Sequence, residues 1–486
     1  MSKDVINKPD APYGLIWLAV FIYAALVAVF VQLIALPYIV PGWNAGHGLL
    51  VGGDSIWFHE LAVEMSESIR MNGWQEWIFR PQGQAPAGIA AAIYALTIPE
   101  PWTIIPLNAV LHASAAVMIM LIVQRFKVRW QFAAIAALPF VFYPSAMTWF
   151  TQIHKDGFFI LGSLIFLYGW ILLAEEVINT RNLKNLVKPY LFVLIGAALV
   201  WVVRPYGVQM MQGLSVFMAG GLILFGLIQI KKLPGSLVRR LIITPLLLLI
   251  LIVSITPFTR GGYEIDANTV SKPQITSTVK QRDWQQTLPP RADNLFRTLA
   301  SLRNGLIEGY PDAESNIDTH VRFHSAADFV LYFPRAVEIA FLAPFPNMWI
   351  NNGSAVNSSF IRKISGIEML GIYFALICAA LSFKKWRKIP AWWVLIFFCS
   401  SMMVIYVYIN VNIGTLYRMR YGFIMTITAL GLAYLLNELL FRADKGELDK
   451  GTVLLSDRVC QTEEPSPCLP LSTSVVSDDS PGGRRF

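Results

Sequence analysis

The sequence predicts an all-α polytopic membrane protein with about ten transmembrane helices, a structured first outer loop and a long outer loop. Of its 486 residues, 55% are hydrophobic and only 14% are charged, whereas soluble domains contain about 25% charged residues. Apolar runs of about 20 residues, the length that crosses a hydrocarbon core, recur along most of the chain. A β-barrel would show alternating segments of about 10 residues, and the apolar runs of this chain are continuous.

The predicted spans begin near the N-terminus, with an apolar run from Tyr13 that is too long for a cleavable signal peptide. The ten candidate spans are 13–40, 102–123, 131–150, 157–174, 189–203, 208–230, 241–257, 367–383, 390–409 and 421–441. The apolar piece at 85–98 is shorter than a span, which is typical of an interfacial or re-entrant helix.

Composition divides the chain into four regions. They are an N-terminal transmembrane module at 1–258 that includes the first outer loop at 41–100, a long extracytoplasmic loop at 259–365, C-terminal transmembrane helices at 366–441, and a segment at 442–486. The last region is rich in Ser, Pro, Asp and Glu, which predicts a disordered cytoplasmic tail. Within the long loop, Ser325 is expected to cap an amphipathic helix whose aromatic face suits the lipid headgroup level.

The distribution of Lys and Arg predicts the orientation, because short cytoplasmic loops are enriched in these residues. Fourteen of them lie in the segments 125–129, 175–188, 231–240 and 384–388, and four lie in the alternate segments. We therefore expect both termini to be cytoplasmic and the first and long outer loops to be extracytoplasmic, in a plasma or inner membrane. The net charge of +8 reflects basic loops facing anionic lipid, and no nucleic-acid partner is predicted.

The stretch after the first span contains the first candidate for catalysis. It reads GGDSIWFHELA, in which Asp54 follows a Gly-Gly pair and precedes an amphipathic run. Ionisable residues near a bilayer are costly and tend to be functional, so Asp54 is a candidate general base or charge stabiliser. The simpler interpretation is a helix cap, a position that Asp favours. A metal bound by Asp54, His59 and Glu64 would match no zinc signature, and we predict neither a metal nor a cofactor.

Basic residues at other outward-facing helix ends form the second group of candidates. The predicted ligands of a substrate phosphate are Lys155, Arg204, Arg418 and Arg420, and the predicted supporting or acceptor-site residues are His59, Glu60, His154 and Asp156. Arginine binds phosphate through two parallel hydrogen bonds, and lysine acts as a compact point charge. In simpler interpretations Lys155 pairs with Asp156, and Arg204 extends to anionic lipid. Arg418 and Arg420 are two residues apart and cannot share one helical face.

Several of these stretches together resemble the GT-C superfamily of membrane glycosyltransferases, in particular the layout of the protein O-mannosyltransferase and lipid A aminoarabinose transferase group. They are GGDSIWFHELA, the Gly73-Trp74 pair, RPQGQAPAGIAAAIYAL and PSAMTWFTQIHKDGFFILGSL, and the layout covers most of residues 10–440. The resemblance implies that Asp54 is the catalytic acidic residue. Family members commonly have an acidic pair there, whereas here the next residue is Ser55. The layout also resembles lipid-linked glycan polymerases and ligases, in which outer-face arginines hold a polyprenyl pyrophosphate.

These observations lead to the hypothesis of a glycosyltransferase of the cell envelope. It would move a sugar from a polyprenyl-phosphate donor to a glycan, lipid or protein acceptor on the extracytoplasmic face, with Asp54 accepting the proton of the acceptor. The basic residues would stabilise the leaving group. The alternatives are a lipid-linked glycan polymerase or ligase, a transporter or flippase of a lipid-linked anion, and an assembly protein in which Asp54 is only a cap. A transporter would place ionisable residues near the midplane and show repeats or broken helices.

Overall fold

The described part of the chain forms helices and connecting loops and no β-strands, as the sequence predicts. The computed structural model describes residues 11–179, 183–228, 230–254, 284–311, 313–350 and 358–460. Within them, fifteen α-helices follow one another: α1 Tyr13–Phe30, α2 Asp54–Asn72, α3 Ala85–Leu96, α4 Ile105–Gln124, α5 Trp130–Phe142, α6 Pro144–Phe150, α7 Asp156–Asn179, α8 Val187–Val203, α9 Pro205–Ile228, α10 Gly235–Ser254, α11 Pro290–Gly309, α12 Ala326–Leu342, α13 Ser358–Trp386, α14 Pro390–Ile409 and α15 Ile413–Cys460.

Eight segments of the described chain are long and apolar enough to cross a membrane, which makes this an integral membrane protein. They are Tyr13–Ile39, Pro101–Gln124, Asp156–Ile178, Pro205–Ile228, Gly235–Ser254, Ser359–Trp386, Pro390–Ile409 and Ile413–Leu439. The pair α5 and α6 would add a ninth span that is bent by 67°. The remaining predicted span, at 189–203, corresponds to α8, which has 17 residues and is shorter than the eight long segments. The predicted short helix at 85–98 is α3, with 12 residues.

The bend between α5 and α6 has a local cause in the sequence. Tyr143 adopts extended backbone angles between the two helices, because the residue before a proline is disfavoured in the helical region. Pro144 then starts α6, where its missing N–H is not needed. The bend turns the chain into the short connector, residues 151–155, that leads to α7.

The first helix buries four residues along one stripe and packs half-buried side chains beside it against the core. Ala24, Ala28, Gln32 and Leu36 recur every four residues and are buried, while most of the other apolar side chains of this span are exposed. The α-helix continues as a π-helix over Val31–Ile39. A four-residue repeat marks a single face of a helix. Half-buried side chains beside it, such as Val20, Phe21 and Tyr23, also pack against the core, and the exposed side chains lie on the opposite face.

Close helix packing elsewhere in the bundle depends on small residues. A Cβ atom added to Gly196 of α8 would lie 2.4 Å from the backbone nitrogen of Phe166 in α7, and one added to Gly431 of α15 would lie 2.0 Å from the carbonyl oxygen of Ala375 in α13. Without a hydrophobic force between helices in lipid, such close backbone approach supplies much of the packing energy. These glycines therefore set the distances between the helices that hold the site.

The described part of the long outer loop folds onto the bundle. Ser325 forms a capping box with Asp328 at the start of α12, which confirms the predicted cap. Arg303 is buried and donates hydrogen bonds to the carbonyl oxygens of Val407 and Asp318. The carboxylate of Asp318 in turn accepts hydrogen bonds from Arg335. The loop is therefore fixed against α14 rather than free in solvent.

The chain divides into two compact units, residues Met1–Leu436 and Asn437–Phe486. The first contains all the helices from α1 to α14 and every candidate site residue. In the second, α15 continues to Cys460, into the segment for which a disordered tail is predicted. The predictions for residues 255–283 and 461–486 lie outside the described residues.

Candidate functional site

The connector between α6 and α7 joins the first outer loop to the bundle. The side-chain oxygen of Gln152 accepts a hydrogen bond from the backbone N–H of Leu50 at 3.1 Å, and its NH₂ group donates to the carbonyl of Gly48 at 3.2 Å. Gln32 of the first helix donates to the carbonyl oxygen of Thr151 at 2.5 Å. These bonds bring the segment that precedes α2 against the start of α7.

A fully buried carboxylate, that of Asp156, is the centre of an ionic cluster at the start of α7. It lies 2.7 Å from Nη2 of Arg204, 3.2 Å from Nε of Arg418 and 2.9 Å from Nδ1 of His154. A buried charge requires such partners, because desolvation alone would be prohibitive. Arg204 is itself buried, so it does not extend to lipid, and Asp156 pairs across the fold rather than with Lys155.

Arg418 connects this buried carboxylate to an exposed one. Its Nη2 atom lies 3.4 Å from Oδ2 of Asp54, and the exposed fraction of the side chain falls from 57% for Asp54 to 24% for Arg418 and 0% for Asp156. Gly53 occupies the capping position of α2 and Asp54 is its first helical residue, where a negative charge is favoured by the helix dipole. The cluster therefore runs from solvent into the bundle.

The contacts of His154 define its protonation state. Its Nε2 atom lies 3.0 Å from Nη1 of Arg418, and a guanidinium only donates hydrogen bonds. Nε2 is therefore unprotonated, and the ring proton lies on Nδ1, which faces Asp156. Burial and the charge of Arg418 lower the pKa of His154, so the ring is neutral at pH 7 and orients its two charged neighbours.

Lys155 gives the cluster its excess positive charge. Its ammonium lies 5.4 Å from the centre of the Phe58 ring, a cation–π contact. Burial, followed by repulsion from Arg204, lowers the pKa of Lys155 to about 8. At pH 7 the cluster therefore contains two carboxylates and three cations, a net charge of +1. Such a site attracts an anion.

A cavity of about 560 Å³ opens beside this cluster. His154 and Arg418 line it, and so do Gly53 and Ser55, the chain neighbours of Asp54. Asp54 itself is not a lining residue. Asp54 therefore lies at the rim and reaches the cavity through Arg418. Other lining residues come from α6, the long outer loop, α13 and α15, among them Trp149, Glu314, Arg362, Ser365 and Tyr417. The volume is typical of a site for a small ligand.

Three residues of this region were not among the sequence-based candidates. Glu314 is an exposed carboxylate on the cavity wall, and nothing in its loop sequence distinguishes it. Gln152 holds the connector. Glu368 is 5% exposed in a membrane-spanning segment, and a lone acidic residue in an apolar span was a signal that could have identified it.

Arg420, a predicted phosphate ligand, lies away from the cluster. It is fully buried and donates to the carbonyl oxygens of Ile339, at 3.0 Å, and of Ala340 and Ala343. These carbonyls belong to the C-terminal end of α12, where unpaired acceptors and the negative end of the dipole favour a cation. Arg418 and Arg420 thus point to different faces of α15, as their spacing predicts.

The predicted supporting residues His59 and Glu60 also lie outside the cluster. His59 is buried, and its Nδ1 atom lies 3.0 Å from the hydroxyl oxygen of Tyr94. Its ring centre is 5.0 Å from that of His47, and burial, with repulsion from His47, lowers the pKa of His59 to about 4. Glu60 is exposed. The structure therefore brings together Asp54, His154, Lys155, Asp156, Arg204 and Arg418 from the predicted set.

Within the described ranges, no group of three or more His, Cys, Asp or Glu residues is arranged to hold a metal ion. Comparisons with known proteins identify no relative: no family model matches the chain, and no curated protein or solved structure matches it. The chemistry of the site therefore has to be inferred from its own side chains.

Proposed function

We propose that the protein is a membrane glycosyltransferase that takes a sugar from a polyprenyl-phosphate donor on the extracytoplasmic face. The main support is one contact, in which the exposed carboxylate of Asp54 lies 3.4 Å from the guanidinium of Arg418 at the edge of the cavity. A base and an anion-binding group side by side are what this transfer requires. The net positive charge of the cluster favours a donor that carries a phosphate.

In the proposed reaction, the oxygen or nitrogen of the acceptor attacks the anomeric carbon of the sugar. The bond between that carbon and the phosphate oxygen breaks, and its electron pair leaves with the polyprenyl phosphate. Asp54 takes the proton of the acceptor, and a single displacement inverts the anomeric carbon. Arg418, which lines the cavity, stabilises the charge on the leaving phosphate, and Lys155, which does not line it, adds positive potential from behind. Arg204 is bound to Asp156 and acts as a positioning residue rather than a phosphate ligand.

A second candidate function is supported by the bend between α5 and α6. Broken helices line the substrate sites of many transporters, and a flippase for a lipid-linked anion would use the same positive cluster. The cluster favours the transferase, because Asp54 and Asp156 are the first residues of α2 and α7 and Arg204 directly follows α8. Its charges thus lie at helix ends rather than in the middle of spans.

The test compares two carboxylate variants in the purified protein reconstituted in lipid vesicles. The assay measures the release of undecaprenyl phosphate from a panel of undecaprenyl-phosphate sugars in the presence of membrane lipid and glycan acceptors. We expect Asp54→Asn to lower turnover about 10²- to 10⁴-fold, the usual contribution of a general base. Donor binding should be retained, because Arg418 and Lys155 are unchanged.

Glu314→Gln is the matched control, since it neutralises the exposed carboxylate of the cavity wall. We expect it to keep most of the turnover. Full turnover in Asp54→Asn, or loss of turnover only in Glu314→Gln, would show that Asp54 is not the base. A wild-type protein that moves the lipid-linked donor between leaflets without releasing undecaprenyl phosphate would establish the flippase instead.

A further inference from the structure

We infer that the cavity contains a separate subsite for the sugar ring of the donor, formed by Ser145, Thr148, Ser365 and Tyr417. We call these four lining residues the hydroxyl wall. The inference rests on the proposed function, and it assigns the two chemical parts of the donor to two different parts of the cavity. The phosphate would lie at Arg418, and the sugar would lie at the hydroxyl wall.

A buried glutamate holds the wall in place. Glu368 accepts a hydrogen bond from the backbone N–H of Ser145 at 2.8 Å through Oε1, and one from the hydroxyl of Tyr417 at 2.7 Å through Oε2. An acidic side chain in a membrane span is costly and is usually there for a function. Here both carboxyl oxygens are engaged with the wall, so Glu368 is a positioning residue that fixes α6 and α15 across the cavity.

Three of the four hydroxyl groups of the wall donate their protons to acceptors within the protein. The hydroxyl of Tyr417 donates to Glu368, that of Thr148 donates to the carbonyl of Ser145 at 2.7 Å, and that of Ser365 donates to the carbonyl of Ile361 at 2.8 Å. A hydroxyl oxygen that has donated its proton can still accept a hydrogen bond. These three oxygens therefore present acceptors to a ligand in the cavity.

Ser145 supplies the remaining polar group. Its Oγ atom is buried and lies close to Glu368 and Tyr417, so it supports the wall from behind and does not face a ligand. The wall thus presents three acceptor oxygens, and none of its four members is charged.

This arrangement discriminates between the parts of the donor. A phosphate diester only accepts hydrogen bonds and would find few donors at the wall. Arg418 has five N–H groups, of which three face Asp156, His154 and Asp54, so two remain for a phosphate. Sugar hydroxyls donate as well as accept, and they match a set of acceptor oxygens. Trp149, which also lines the cavity, provides an apolar face for the C–H groups of a pyranose.

The two subsites are adjacent, as a sugar phosphate requires. Tyr417 and Arg418 are consecutive residues of α15 and both line the cavity, and their Cα atoms are therefore about 3.8 Å apart. The hydroxyl wall and Arg418 are thus close enough for one short ligand to contact both.

The test is a pair of tyrosine variants one helical turn apart. Tyr417→Phe removes the hydroxyl from the wall. Tyr421→Phe is the matched control, because the Tyr421 hydroxyl is also buried and donates to the carbonyl of Phe140 at 3.0 Å, but Tyr421 does not line the cavity. The measurement is the affinity of each protein for undecaprenyl phosphate and for the same lipid carrying glucose, mannose, galactose or 4-amino-4-deoxyarabinose.

We expect Tyr417→Phe to weaken binding of the best sugar-bearing lipid about 2- to 10-fold, the effect of one neutral hydrogen bond. Its affinity for bare undecaprenyl phosphate should be unchanged, and Tyr421→Phe should change neither. Thr148→Val, which removes another hydroxyl of the wall, should repeat the selective loss. This variant provides a second measurement if Tyr417→Phe does not fold.

Two results would overturn the inference while leaving the proposed function intact. In the first, the variants weaken bare and sugar-bearing lipid equally, as general damage to the cavity would. In the second, they weaken neither. A wild-type protein that binds none of the lipids would instead refute the proposed function, and the sugar subsite with it.

Discussion

Replacing Asp156 by asparagine tests the energetics of the ionic cluster. The change keeps the shape of the side chain and removes the charge that faces Arg204 and Arg418. Both guanidinium groups then lack their shared buried counter-ion, and Arg204 is buried, so water cannot replace the lost contact. We expect a large loss of stability and a displaced Arg418.

The size of the loss follows from the distances. Two unit charges about 4 Å apart attract each other by about 4 kcal/mol at an effective dielectric constant near 20, so two arginines contribute about 8 kcal/mol. Asparagine avoids the desolvation of a buried carboxylate, which is worth several kcal/mol. The expected net loss is about 3–5 kcal/mol, as for other buried pairs that lose one partner.

Asp54→Asn is the control, because it makes the same chemical change at a side chain that is 57% exposed and contacts the same Arg418. Exposed ion pairs contribute about 0–1 kcal/mol. The difference between the two variants therefore measures the combined effect of burial and of the second arginine, Arg204.

Thermal unfolding in detergent can be followed with a thiol-reactive fluorogenic dye, since Cys378 and Cys399 are free and buried. Replacing Cys460 and Cys468 by serine leaves these two as the reporters. We expect Asp156→Asn to unfold about 5 °C or more below the wild type, and Asp54→Asn within about 2 °C of it. If the two variants unfold at the same temperature, the assigned role of the buried carboxylate is wrong.

Two further predictions concern the basic residues. Affinity for an undecaprenyl phosphodiester should fall as the pH rises through about 8, because Lys155 then loses its proton and the cluster charge drops from +1 to zero. Binding titrations should show the fall in the wild type and a flat profile in Lys155→Arg. A wild-type profile that stays flat would exclude Lys155 from the site. Arg420→Met should lower the unfolding temperature, because it leaves buried carbonyls unpaired at about 1–3 kcal/mol each, and it should leave phosphate affinity unchanged. Arg418→Met should lower phosphate affinity, and it should also lower the unfolding temperature because the buried Asp156 loses one of its two arginines. A loss of affinity in Arg420→Met would restore the role predicted from sequence.

The sequence predicted the helices and which of their ends approach one another. Apolar length located the spans, and the alternation of basic loops placed Asp54, Asp156, Arg204 and Arg418 on one side of the membrane. In the structure these four are linked in one cluster. Span length was less informative for α8, which has 17 residues, and for the pair α5 and α6, which is bent by 67°.

Contacts that depend on the rotation of a helix about its axis could not be predicted. Each residue advances about 100° around a helix, so Arg420 faces α12 although it is only two residues from Arg418. Glu368 meets Tyr417 for the same reason, because the facing sides of α13 and α15 are set by packing at Gly431. Glu314 belongs to a loop whose path is fixed by distant residues such as Arg303.

The buried stripe of the first helix includes a hydrogen bond that connects this span to the segment before the ionic cluster. Gln32 is the polar member of the buried stripe, and it holds the carbonyl of Thr151, three residues before His154. Transmembrane helices tilt when bilayer thickness changes, and a tilt of α1 pulls directly on this bond. Lipid chain length is therefore a variable to which the geometry around His154 should respond, even though no lipid needs to touch that residue.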